Sequence, residues 1–243
     1  MNDSSLPLFL AVALLSSTVH SSLGFGFSII AMIFFTDIFA LYPQATAVSG
    51  LLSILTSFLG AVRMRRYTRW RVLAPCVAGY FLTAPIAIHL SGLWDKGFAL
   101  RLLGGMLVLL GLYFIFLGGR IRIRPTLLNG LFAGALSGIG GGFFSIGGPP
   151  LAIYFLSSLN DKEQYSGTML SCITLTALYS AAVRIISGVF TRDLLPAIAL
   201  GFLAVAAGAF IGGGILKRLP LAGLRMLIYV IMILAGIKML AGI

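Results

Sequence analysis

The chain has 243 residues, of which 59% are hydrophobic and 9% charged, with a mean hydropathy of +1.07. A soluble domain carries about 25% charged residues, so this composition excludes a soluble enzyme and indicates an all-α integral membrane protein. The formal net charge of +11 sits in short stretches between apolar runs, a pattern that anchors loops at a bilayer surface and points away from nucleic acid.

A helix needs about 20 apolar residues to cross a hydrocarbon core about 30 Å thick. About eight such segments follow one another, over approximately 6–35, 43–62, 72–90, 98–118, 126–157, 164–186, 194–216 and 222–242. Met1–Pro7 has no Lys or Arg, and the apolar run after it outlasts a signal-peptide core, so the first segment is expected to remain a membrane element. It contains Gly24-Phe25-Gly26-Phe27-Ser28-Ile29, with His20 four residues earlier. Arg63, Arg65, Arg66, Arg69 and Arg71 follow the second segment, and Arg120, Arg122 and Arg124 the fourth. Two helices separate these clusters, so both are expected in the cytoplasm.

The fifth segment is the most informative. It has no charge, yet Gly138 to Pro150 holds six glycines and two prolines, which predicts a break in the helix there. Lipid cannot satisfy a broken backbone, so non-helical chain at membrane depth must pack on protein or line a wet cavity. The functional site is therefore expected here.

Internal matches predict a duplication. Gly24-Phe25-Gly26-Phe27-Ser28-Ile29 falls opposite Gly141-Gly142-Phe143-Phe144-Ser145-Ile146, Ala61-Val62-Arg63 opposite Ala182-Val183-Arg184, and Gln44 opposite Gln164. The chain reads as two membrane repeats, 1–120 and 121–243, each a Gly-rich broken or re-entrant element followed by three ordinary helices. If 126–157 crosses once, the repeats are parallel, with Arg184 and Arg192 inside and Lys217, Arg218 and Arg225 outside. If it enters and returns as a hairpin, these assignments swap and the repeats are inverted, which the frequent pairing of broken helices with inverted repeats favours.

The chemistry of the break follows from its backbone. At the start of a half-helix several N–H groups lack partners and the macrodipole adds roughly half a positive charge, so an anion can be held without a buried Arg or Lys. Gly140, Gly141 and Gly142 permit close approach of a ligand, and Ser145 adds a hydroxyl donor. Pro149 and Pro150 either open the second half-helix, leaving Gly147 and Gly148 among the donors, or bend a helix that starts near Gly142. Gly24, Gly26 and Ser28 are the counterparts in the first half. Gly104, Gly111, Gly208 and Gly212 are expected to serve close helix packing instead.

Ionisable residues narrow the substrate. Asp3, Asp37, Asp95, Asp161, Glu163 and Asp193 all fall near segment ends, so no mid-membrane carboxylate awaits a cation. His20 is either an interhelical hydrogen-bonding group or one that couples protons or touches substrate. Arg63 and Arg184 either snorkel to a headgroup region or supply charge along an anion pathway. Cys76 and Cys172 read as buried small side chains, not as a disulfide or a metal site. Ser145 with His20 would suit an intramembrane hydrolase, but no carboxylate is nearby and Ser28 duplicates the serine. A passive anion channel is a further alternative.

Two Gly-rich interruptions, eight apolar segments and Ile139-Gly140-Gly141-Gly142-Phe143-Phe144-Ser145-Ile146-Gly147-Gly148-Pro149 resemble the sulfite exporter TauE/SafE family, also called the toluene sulfonate uptake permease family. The resemblance covers essentially the whole chain. It implies a secondary transporter of small organic or sulfur-containing anions in the cytoplasmic membrane, with lipid as its surroundings and no cofactor. Proton coupling and a homo-oligomeric state stay open. The first repeat departs from the pattern, with Gly24-Phe25-Gly26 in place of a glycine triplet and Met32 near the expected proline.

Overall fold

A computed structural model describes residues 5–117, 123–190, 194–214 and 221–242. Asp3, Arg120, Arg122, Arg192, Asp193, Lys217 and Arg218 lie outside the described residues. The described chain is helical: α1 (Leu6–Leu23), α2 (Phe27–Ile38), α3 (Tyr42–Met64), α4 (Trp70–Ser91), α5 (Lys96–Phe116), α6 (Leu127–Phe144), α7 (Gly148–Ser158), α8 (Lys162–Ile186), α9 (Leu195–Gly214) and α10 (Leu221–Ala241). Among the described residues, six helices are long and apolar enough to cross a membrane.

Both Gly-rich segments are interrupted, as expected. Gly24 and Gly26 take φ of +80° and +107° between α1 and α2, a conformation that side chains with a Cβ rarely adopt. The second interruption is shorter than the expected break from 138 to 150. α6 continues as helix through Gly138 and Gly140–Gly142, and the chain turns only at Ser145–Gly147, where Ser145 has a φ of 60°. The glycines remain helical because they pack on α4: a Cβ at Gly138 would lie 2.8 Å from the Tyr80 carbonyl oxygen, and one at Gly142 2.5 Å from the Ala87 Cβ. Pro149 and Pro150 open α7, where their missing N–H groups cost no helical bond.

Each interruption reverses the chain. Ser137 Oγ donates to the Gly147 carbonyl at 2.5 Å and Tyr154 Oη to the Thr126 carbonyl at 3.4 Å, so α7 runs back along α6. Phe9 near the start of α1 packs on Phe35 and Phe39 at the far end of α2, with ring centroids 5.1 and 5.9 Å apart. The first and fifth apolar segments are thus helical hairpins, not single crossings.

Helix lengths recur in order: 18 residues in α1 and α6, 12 and 11 in α2 and α7, 23 and 25 in α3 and α8, 22 and 20 in α4 and α9, and 21 in both α5 and α10. A hairpin plus three crossings makes the second set start from the opposite face to the first. Accordingly α3 and α8 are antiparallel: Arg69 Nε, just beyond α3, donates to Gln164 Oε1 at the start of α8 at 2.8 Å, while Thr46 at the start of α3 accepts from Arg184 at the end of α8, also at 2.8 Å. The sets interlock. α4 lies along α6 through Gly134, Gly138 and Gly142, and α9 lies along α1 through Gly208 and Gly212. Gly104 of α5 faces Gly236 of α10 closely enough that a Cβ there would be 2.7 Å from its carbonyl oxygen. Gly104, Gly111, Gly208 and Gly212 therefore serve packing, as their spacing predicts.

Arg63, Arg65, Arg66, Arg69, Arg71, Arg124 and Lys162 are exposed at one end, which the positive-inside rule makes cytoplasmic. At the other end Lys96 Nζ donates to the Phe39 carbonyl at 3.2 Å, and Lys238 lies 3.9 Å from Asp37. Asp95 and Asp161 cap α5 and α8 by accepting from Phe98 and Glu163 N–H groups, so these acids belong to helix ends. Cys76 and Cys172 are buried free thiols.

Candidate functional site

The two hairpin tips pass each other in the middle of the molecule. Phe25 lies against Gly148, 3.1 Å from where a Cβ would be, and Ser145 Oγ is 2.9 Å from the equivalent point on Gly50 of α3. Between them is a cavity of about 60 Å3. At roughly 10–15 Å3 of such volume per water, that is room for about four to six waters or one compact ion.

The starts of α2 and α7 both face this cavity. Their N-cap residues are Gly26 and Gly147, neither has a side-chain cap, and Phe27, Ser28, Ile29, Gly148 and Pro149 belong to the lining. First-turn N–H groups are thereby left for another acceptor, at the positive ends of two helices. α2 is the richer donor, because α7 has prolines at its second and third positions.

Of the residues singled out in the sequence, His20, Gly26, Ser28, Gly141, Ser145, Gly147, Gly148 and Pro149 meet around the cavity. His20 is 2% exposed, and neither ring nitrogen has a hydrogen-bond partner among the described residues. An imidazole buried without partners is costly, and this one stands on the cavity wall. Ser145 is the one described non-glycine residue with positive φ, a conformation costing about 1–3 kcal/mol that concentrates at functional sites.

Other candidates have different tasks. Gly24 forms the turn that ends α1, its N–H donating to the His20 carbonyl at 2.8 Å. The N–H groups of Gly140–Gly142 are used inside α6, so they are not free for a ligand, and the Gly140 and Gly141 carbonyls accept from Ile146 and Ser145. Arg63 and Arg184, which match in sequence, differ in place: Arg63 is exposed at the cytoplasmic end of α3, whereas Arg184 is 2% exposed. Arg184 donates to Thr46 Oγ1 and to the Gly141 and Gly142 carbonyls, the latter at 3.2 and 2.7 Å. It thereby neutralises the negative end of α6 from behind the cavity wall.

Sequence reasoning missed Gly50, Ser53, Tyr80, Thr176 and Ser180, which α3, α4 and α8 bring to the cavity. Tyr80 Oη and Ser180 Oγ are hydrogen-bonded at 2.8 Å. A signal existed for α3: Thr46, Ser49, Ser53, Thr56 and Ser57 recur at helical spacing and are all buried, which marks a polar stripe inside an otherwise apolar span. No Asp, Glu, Lys or Arg lines the cavity among the described residues.

The family model described as Sulfite exporter TauE/SafE matches residues 9–239. No curated protein and no solved structure matches the chain. With nearly every described helix inside the matched span, the chain belongs to the sulfite exporter TauE/SafE family, and is a multi-pass membrane transporter and not an enzyme.

Proposed function

We propose that this transporter is a secondary carrier of a small organic or sulfur-containing anion of the sulfite, sulfonate or short-carboxylate class. Alternating access would occur between two inverted repeats, residues 1–120 and 121–243. The observation that carries this reading is a cavity set between two uncapped helix N-termini, beside an unpartnered buried His20 and with no acid in its lining. Such a place attracts negative charge and offers a cation nothing. Gly26, Ser28, Gly141, Ser145, Gly147, Gly148 and Pro149 form the substrate-binding set, with His20 as the contact through which a proton would be coupled.

The antiparallel pair α3 and α8 carries a polar closure at each end, which suits alternation. On the cytoplasmic side Thr68 Oγ1 and Ser171 Oγ are 2.9 Å apart, and the Arg69 amide donates to Thr168 Oγ1 at 2.9 Å. On the other side Arg184 of α8 donates to Thr46 Oγ1 of α3 at 2.8 Å, and Tyr42 Oη ties α3 to α6 by donating to the Phe143 carbonyl at 3.1 Å. Opening one set while the other holds would expose the cavity to one face at a time.

The reading is tested on purified protein. Sulfite or a small sulfonate is expected to raise its melting temperature and to drive counterflow in liposomes. Ser28→Ala combined with Ser145→Gly removes both hydroxyls and suits the positive φ at 145, so exchange is expected to fall about tenfold with ligand-free stability kept. Selective stabilisation by a cation or a neutral metabolite would contradict the proposal.

A further inference from the structure

We infer that the cavity between the hairpin tips selects singly charged oxyanions over doubly charged ones of the same size, an inference that rests on the anion-carrier reading above. Among the described residues no charged side chain lines the cavity, so a bound anion meets backbone charge at its wall. The starts of α2 and α7 each contribute about half a positive charge, together about one. The opposing carbonyl ends are engaged. The His20 carbonyl accepts from Gly24, and the Gly141 and Gly142 carbonyls from Arg184, whose charge is spent behind α6. A monoanion is matched by this arrangement. A dianion would keep about one uncompensated charge between largely apolar protein walls, which is unfavourable.

His20 gives the bound anion a neutral polar contact. Both of its ring nitrogens lack partners among the described residues, and a neutral imidazole offers one donor and one acceptor. An oxygen of hydrogensulfite or of a sulfonate accepts from the ring N–H, a contact that brings no further positive charge to the site. The cavity's 60 Å3 suits an anion of this compactness.

Methanesulfonate and sulfate provide the test, because they are close in size and differ by one fixed charge. Each competes against labelled sulfite in counterflow by the reconstituted wild-type protein. Methanesulfonate is expected to reach half-inhibition at a concentration at least about tenfold lower than sulfate. Sulfate competing equally or better would overturn the charge selection while leaving the anion carrier standing. Sulfite that fails to exchange would instead overturn the carrier reading and this inference with it. His20→Ala is expected to weaken methanesulfonate competition about tenfold, and an unchanged value would overturn the assignment to this cavity. Should that variant fail to fold, His20→Phe gives the same readout, because it keeps the ring's volume and removes its N–H.

Discussion

Gly134→Leu is expected to abolish accumulation of folded protein in the membrane. α4 and α6 form the principal junction between the two interlocked sets, and Gly134 sits where their backbones come closest. A Cβ there would lie 2.6 Å from the Cys76 carbonyl carbon and 2.7 Å from its Cα. These are backbone atoms that cannot rotate aside, so the helices would have to separate along their whole contact. Overpacking a core by a few methylenes costs about 1–3 kcal/mol even where side chains adjust, and backbone displacement costs more. Size-exclusion chromatography of detergent extracts reads the result as loss of the monodisperse peak. Gly105→Leu on α5 is the control, because a Cβ there meets nothing within 4 Å.

Arg184→Met should fold but melt much lower. The variant leaves the Gly142 carbonyl without the Arg184 donor and takes one bond each from Thr46 Oγ1 and the Gly141 carbonyl, which keep their bonds to Pro43 and Ser145. One buried carbonyl left unsatisfied costs about 1–3 kcal/mol and each of the two further lost bonds about 0.5–1.5, so about 3 kcal/mol in total is expected. At about 2–4 °C per kcal/mol for a chain of this size, the melting temperature should fall roughly 6–12 °C. Arg184→Lys keeps a charge but not the planar fork that reaches three acceptors, so its fall should be intermediate. Anion affinity should drop in both variants, more in Met, because the carbonyl end of α6 then projects its negative potential toward the cavity. Thermal unfolding followed by intrinsic fluorescence, with and without sulfite, separates the two effects.

Much of this architecture is legible in the residues. Glycine pairs and prolines inside apolar runs announce that the backbone breaks, and the recurrence of Gly24–Ile29 at Gly141–Ile146 announces that it does so twice. What periodicity could not supply is where helix ends. Gly138 and Gly142 look like helix breakers until α4 is packed against them, when the absence of a Cβ becomes the reason they stay helical. The hairpin was an open alternative because charge patterning alone fits both topologies, and only the contacts from Ser137 to Gly147 and from Tyr154 to Thr126 show the reversal.

The site divides along similar lines. Residues on the hairpin tips themselves, His20, Gly26, Ser28, Ser145, Gly147 and Gly148, are readable because the break that exposes them is local in sequence. Tyr80 and Ser180 are not, since their meeting depends on how α4 and α8 cross. Arg63 and Arg184 show the limit of repeat matching: equivalent places gave one exposed and one buried guanidinium, because only Arg184 ends beside the carbonyls of a hairpin tip.

The central claim is that a small anion is held between the starts of α2 and α7, and the most direct measurement locates one there. Selenite is a heavy analogue of sulfite, and diffraction at the selenium edge from crystals soaked in it reports position without reference to function. The account predicts an anomalous peak beside His20, within hydrogen-bonding reach of the first-turn amides of α2. A peak at the exposed arginines between α3 and α4, or an empty cavity in protein that still transports selenite, would contradict it.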